Sequence, residues 1–136
     1  MTNDPWTEGG HKFDAGKPPL SLLDPYALTE VAKVLAFGAE KYDKHNWRRG
    51  ISYSRLMDAA LRHLMDFNSG EDLDPESKLS HIAHASCCLM FLLWMVQNRS
   101  DLDDRYDEDQ AYLDRIEAKL KEELDAMDAR EKKSKK

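Results

Sequence analysis

His81 and His84 stand three residues apart, so within a helix their imidazoles share one face. Asp66 follows His63 at the same spacing, and Glu40 with Asp43 repeats it using carboxylates. Imidazole and carboxylate are both ligands of divalent cations, and in a helical bundle such pairs on facing helices converge into metal sites. Alone, a histidine on an apolar face is more often a buried, hydrogen-bonded residue. Two imidazoles on one face beside a core are costly without a partner. Glu40 and Asp43 fall near a helix C-terminus, where negative charge opposes the helix dipole and a nearby cation would relieve it. Glu40, Asp43, His63, Asp66, His81 and His84 are therefore the candidate metal ligands. Carboxylates alone suit Mg²⁺, whereas a mixture with histidine moves the preference toward Mn²⁺, Co²⁺ or Zn²⁺. Cys88, four after His84, would add a zinc-favouring thiolate, although a thiol in that apolar run is more simply core packing.

Cations and aromatics cluster around the same segments. Arg62 adjoins His63, Lys41 adjoins Glu40, and Arg48 and Arg49 lie between them in sequence. Arginine suits bidentate phosphate contact and lysine a point-charge contact. Tyr42, Trp47 and Tyr53 could stack on a base, and Asn46 could hydrogen-bond its edge. Trp47 has an equally simple reading as an apolar plug for the end of a bundle. A metal, several cations and loop aromatics in one region point to a nucleotide carrying a polyphosphate.

These residues need helices to position them. Asp24-Pro25 is an N-cap followed by proline at the first helical position, and Leu28, Val31, Ala32 and Leu35 continue as an amphipathic stripe. This first helix is expected to fade after 40–43. The segment 44–50 has the composition of a binding loop. A second helix starts near Ser52 or Ser54 and ends at Asn68, with Gly70 as its left-handed terminator. The acidic loop 71–77 follows, either part of the site or a solvated connector. A third helix is expected from about Lys78 to Asn98; it is apolar all round over 85–96 and so belongs at the centre. No strand signal competes, and the fold class is all-α. A separate fourth helix carries Leu113, Ile116, Leu120, Leu124 and Met127 as a narrow apolar seam on a charged rod. It reads as a self-association element, with a solvated tail as the alternative.

The chain thus divides into an irregular N-terminal arm (1–21), a catalytic helical domain (22–99) and a charged C-terminal helix with a basic tail (100–136). Its 136 residues carry 20 Lys and Arg against 26 Asp and Glu, a net charge of −6. That balance argues against non-specific nucleic-acid binding, which needs a basic surface. Two adjacent cysteines cannot form a disulfide framework, and a reducing compartment is expected. The polar N-terminal stretch lacks the apolar core of a signal peptide, and the longest uncharged apolar run is too short for a bilayer. A cytoplasmic protein with no membrane partner is expected.

Several stretches together resemble a known family: Lys17-Pro18-Pro19-Leu20-Ser21-Leu22-Leu23, Phe37-Gly38-Ala39-Glu40-Lys41-Tyr42, Asn46-Trp47 and Ser54-Arg55-Leu56. Leu61-Arg62-His63-Leu64, the loop from Gly70 to Ser77 and His81-Ile82-Ala83-His84-Ala85 complete the pattern. The chain resembles the phage dATP/dGTP diphosphohydrolases, the group to which some MazZ-type proteins of 2-aminoadenine phages belong. The resemblance covers about 17–93 and omits the C-terminal helix. It implies kinship with the MazG-like all-α pyrophosphohydrolases, which cleave between the α- and β-phosphates. It also implies a MazG-like bundle of three core helices, oligomeric assembly around divalent ions and, in phages that replace adenine, a supply of dGMP. The usual MazG pattern of Glu-x-x-Glu followed by Glu-x-x-Asp is absent. His81-x-x-His84 is the best counterpart of its second motif, and Glu40-x-x-Asp43 with His63-x-x-Asp66 keeps the spacing with other residue types.

The reading is metal-dependent hydrolysis of dGTP or dATP to the monophosphate and pyrophosphate. His63, His81, His84 and Glu40 would hold Mg²⁺ or Mn²⁺, with Zn²⁺ or Co²⁺ as alternatives. Glu71 or Asp72 would take the proton of the attacking water. Arg62, Lys41 and Arg48 would face the phosphates, and Asn46, Trp47 and Tyr42 the base. Two rivals stand beside it: a His/Asp metal phosphohydrolase releasing triphosphate, and a non-catalytic helical interaction protein with structural histidines.

Overall fold

A computed structural model describes residues 9–135, so residues 1–8 of the expected arm and Lys136 of the basic tail lie outside it. Four α-helices follow in order: α1 (Pro25–Tyr42), α2 (Tyr53–Asn68), α3 (His81–Asn98) and α4 (Glu108–Ser134). Short 3-10 turns occupy Leu20–Leu22, Asn46–Arg49 and Ser100–Leu102. Among the described residues the only extended pairing is a single antiparallel bridge between Leu73 and Ser80. The chain is all-α.

Local chemistry sets the helix ends. Asp24 caps α1 by accepting from the Ala27 N–H at 2.8 Å, and Pro25 opens the helix where its missing donor costs nothing. Gly70, at φ 105°, turns the chain out of α2. Helix α3 starts at His81, three residues later than the sequence suggests. Asp74 accepts from the Ser77 N–H with its side chain and from the Lys78 N–H with its carbonyl, both at 2.8 Å. That tight turn drives Lys78 into a left-handed conformation (φ 62°), incompatible with a first helical turn. Ser80 then caps α3 with its hydroxyl on the Ile82 and Ala83 N–H groups.

The uniformly apolar α3 is the central element, with α1 on one side and α2 on the other. Val34 of α1 packs on Ala83 and Cys87, while Tyr53 and Leu56 of α2 pack on Met95, and Phe91 joins both clusters. The Tyr53 hydroxyl donates to the Met95 carbonyl at 3.3 Å, satisfying the one polar atom it brings into that core. Segment 44–50, expected as a binding loop, is a 3-10 turn built into the bundle's end. Trp47 stacks on Phe91 (centroids 4.5 Å apart) and meets Trp94 edge-on. Gly50 closes the turn at φ 109°, so near to the segment after α3 that a Cβ would lie 2.7 Å from the side-chain end of Arg99 (Nη1).

Beyond α3, Asp104 accepts from the backbone N–H and the hydroxyl of Ser54. It thereby supplies the cap that Ser52 does not make. Helix α4 makes at most slight contact with the other elements. No helix among the described residues is long and apolar enough to cross a membrane.

Candidate metal centre

Three histidines meet where the start of α3 faces the middle of α2. His81 is the first residue of α3 and the one buried polar side chain among the described residues, at 0% exposure. Its backbone N–H is held by the Asp72 carbonyl at 3.0 Å, so the acidic loop fixes where α3 begins. Its ring is gripped from two sides: Nε2 lies 2.7 Å from Glu71 Oε1, and Nδ1 lies 2.9 Å from Nδ1 of His63. The His63 ring also stacks on His84 (4.5 Å, 10° between planes), and the edge of Phe37 from α1 closes over His84.

Proton accounting defines what this cluster can bind. An ionised carboxylate only accepts, so Glu71 fixes the His81 proton on Nε2 and leaves a lone pair on Nδ1 in the neutral ring. Opposite it stands His63 Nδ1. Either His63 donates a proton into that lone pair, or both lone pairs are directed to a shared cation. Two nitrogens each ~2.1 Å from one ion stand about 3 Å apart at an octahedral right angle and about 3.4 Å apart at a tetrahedral angle. The observed 2.9 Å is near the first and is also a hydrogen-bond distance. Asp74 completes the set: its carboxylate and the two imidazoles offer ligand atoms all within 4.8 Å of one another. Asp66, Glu71 and His81 form a second such group on the other side of the His81 ring.

The protonation states suit a cation. Burial, with His84 and then His81 close by, holds His63 below the ordinary imidazole value. Burial also lowers His84, outweighing the attraction of the Asp74 carboxylate. Both rings therefore keep a lone pair near neutral pH. Burial alone would raise Asp74, but the Ser77 N–H and hydroxyl, then the His84 and His63 rings, bring it below the usual carboxylate range. For His63 and Asp74, a neutral imidazole and an ionised carboxylate are the forms that ligate. Glu71 occupies the outer position usual for a ligating histidine, whose far N–H is held by a carboxylate. By donor chemistry the residues fit a divalent cation.

The residues expected from sequence sort into three groups. His63, His81, His84, Asp66 and Glu71 come together. Asp72 joins them through its carbonyl. His84, however, has its Nε2 2.7 Å from the Ser77 hydroxyl, which already accepts from the Leu79 N–H, so its ring buttresses His63. Glu40 and Asp43 are outside both ligand groups. Glu40 is exposed one turn beyond Phe37, and Asp43 ends α1 at φ 99° with its N–H on the Ala39 carbonyl. Lys41 reaches the acidic loop and pairs with Glu76 at 2.8 Å, and Tyr42 is exposed beside it. Arg62 is exposed next to His63. Asn46 opens the 3-10 turn, and Arg48 lies 4.3 Å above the Trp47 ring with its Nε donating to His45 Nδ1. Trp47 and Arg48 thus spend their faces on packing, because the ring fills the gap between the 3-10 turn and α3. Cys88 is in neither ligand group; burial raises its thiol and pushes Cys87 up to about 12. Asp74 and Ser77 are the site residues that helical periodicity misses. The available signal was Asp74-Pro75, a turn-initiating pair two residues beyond Asp72.

Residues 7–105 match the family described as dATP/dGTP diphosphohydrolase, N-terminal. A protein of Salmonella phage PMBT28 named dATP/dGTP diphosphohydrolase is 49% identical over 96 residues, which are 71% of this chain and 33% of that protein. The chain thus spans about a third of the length of the curated relative it matches. No solved structure matches. Every candidate ligand falls within the matched region, and α4 falls outside it.

Proposed function

The chain belongs to the dATP/dGTP diphosphohydrolase family through its N-terminal region, and from that premise we propose that it hydrolyses dGTP or dATP to the monophosphate and pyrophosphate. The observation that carries this reading is the pairing of His63 and His81 at 2.9 Å beside Asp74, with Glu71 on the far nitrogen of His81. His63, His81 and Asp74 would hold the divalent ion, Mn²⁺ or Mg²⁺ with Zn²⁺ and Co²⁺ as alternatives, and His84 supports His63 from behind. When bound, such an ion lowers the pKa of water and neutralises phosphate oxygens.

The chain's own groups supply the rest. Glu71 holds the His81 ring in one tautomer and orientation. Asp72, exposed beside it, accepts the proton of the attacking water as the new O–P bond forms. The bond to the bridging oxygen breaks with its electron pair leaving on pyrophosphate. Arg62 and Lys41 offset the charge that builds on the leaving group, Lys41 exchanging Glu76 for phosphate. Tyr42 keeps an exposed ring for the base, whereas Trp47 is committed to Phe91 and Trp94. In a phage that replaces adenine, this reaction in the host cytoplasm would supply dGMP for the modified nucleotide.

The test is a panel of deoxy- and ribonucleoside triphosphates with product identification in Mn²⁺ and in Mg²⁺. Pyrophosphate and dGMP or dAMP are expected, with turnover lost in His81→Ala at unchanged helical content. Release of tripolyphosphate with free nucleoside would overturn the proposed cleavage. If chelation changes neither melting temperature nor activity, the cluster is structural and the reading fails.

A further inference from the structure

Helix α4 presents a problem of its own. A strongly charged 27-residue helix makes at most slight contact with the rest of the chain, and its apolar residues Leu113, Ile116, Leu120, Leu124 and Met127 are 40–63% exposed. Most helical stability in proteins comes from packing an apolar stripe, so this stripe needs an occupant. It is too narrow to form a core of its own, and its charged flanks suit a second helix of the same kind.

The spacing identifies that helix. The steps between the five residues are 3, 4, 4 and 3, which read the same in both directions and centre on Leu120. An antiparallel copy therefore sets Leu113 against Met127, Ile116 against Leu124 and Leu120 against itself. Asp109 and Glu131 end the stripe at matching positions on either side. Recurrence at 11 residues (Leu113 to Leu124, Ile116 to Met127) stays close to the natural period of a straight helix, so the two rods meet with little supercoil.

The charges at the two ends of the helix favour the same direction. The first turn of α4 carries Glu108 and Asp109 and the last turn Lys132 and Lys133, signs that also suit the helix dipole. In the antiparallel register Glu108 comes level with Lys132 of the other copy, and Arg115 with Asp125. A parallel register would instead stack lysine on lysine and acid on acid. Three other level pairs, Asp109 with Glu131, Glu117 with Glu123 and Lys119 with Lys121, bring like charges together, so the preference for the antiparallel direction rests on the helix ends and on Arg115 with Asp125.

We propose that α4 is a dimerisation helix that pairs antiparallel with α4 of a second copy of this chain, with Leu120 on the two-fold axis. A two-fold contact of this kind is isologous, so one substitution acts on both sides at once. The pairing is independent of the catalytic reading, because no candidate site residue lies on α4.

Sedimentation equilibrium of the full chain tests the pairing, and disulfide trapping tests its direction. The chain is expected to be a dimer, and Leu120→Glu to weaken it at least ~100-fold, since two carboxylates would be buried at one point. Tryptophan fluorescence, reporting Trp47 and Trp94 in the bundle, should not change. A chain that is monomeric at high concentration, or a dimer indifferent to Leu120→Glu, overturns the proposal. Leu113→Cys and Met127→Cys, oxidised together, should give the mixed disulfide, with the wild type as background for Cys87 and Cys88. Efficient self-linking of either variant alone, without the mixed product, would show a parallel pair and overturn the direction.

Discussion

Glu71→Gln separates holding a ligand from taking a proton. The Glu71 carboxylate lies 2.7 Å from Nε2 of a fully buried His81, while its own side chain is 49% exposed. Glutamine keeps the size and one acceptor but removes the charge. A hydrogen bond to a charged group contributes about 1.5–3 kcal/mol, and exposure of Glu71 to water places this one at the lower end. Outer partners of ligating histidines typically change metal affinity about 10–100-fold. The expected loss is therefore about tenfold, or ~1.4 kcal/mol. Isothermal titration with Mn²⁺ measures it directly, and turnover is then read at limiting and at saturating metal. Glu71→Gln should bind Mn²⁺ more weakly and regain most of its turnover when metal is raised. If saturating metal leaves turnover depressed, Glu71 itself takes the proton and the assignment to Asp72 falls. If neither affinity nor turnover moves, the carboxylate–imidazole–metal arrangement is refuted.

Other outcomes follow from the packing and the titrating groups. Gly50→Ala sets a Cβ against Arg99 and Leu102 at a backbone angle that L-residues avoid, so urea denaturation should show a loss of about 1–3 kcal/mol. An unchanged midpoint would mean that Gly50 does not approach Arg99 and Leu102 so closely. Tyr53→Phe leaves the Met95 carbonyl without this donor and should cost about 1 kcal/mol in the same assay. The pH dependence has a definite sign. His63 and His84 titrate below the unfolded value of 6.5, so the unfolded chain takes up protons first on acidification. Their stability contribution is complete above that value and is lost as pH falls through the lowered folded values. Denaturation midpoints should therefore drop as the pH falls through 6.5 and below, with metal affinity falling alongside. A midpoint that rises on acidification across that window would contradict the lowered values.

Much of this architecture is legible in the sequence because local chemistry fixes it. Asp24-Pro25 and Gly70 mark helix ends by a local cap and by backbone geometry, and the uniformly apolar 85–96 stretch reads as the central helix, although Leu89, Met90, Leu93 and Val96 remain exposed in the single chain. The histidines at 63, 81 and 84 follow from periodicity, which fixes the face they share. Periodicity is silent on how far each helix is rotated toward its neighbours, and so it could not separate His63, which reaches His81, from Glu40 and Asp43, which fall outside the ligand groups. Asp74 and Ser77 were hidden for another reason. They act through an irregular turn whose shape depends on its own side-chain hydrogen bonds, and the same turn displaces the start of α3. For Trp47 both readings were open in the sequence, and only the stacked neighbour Phe91, 44 residues away, decides between them.

Pulsed electron paramagnetic resonance of the chain loaded with one equivalent of Mn²⁺ addresses the cluster most directly. Nitrogen-14 couplings from two directly bound imidazoles are expected, one lost in His63→Ala and the other in His81→Ala, with the helical content of both variants preserved. A spectrum without directly coupled nitrogen, or one that either substitution leaves unchanged, would contradict a metal held between His63 and His81.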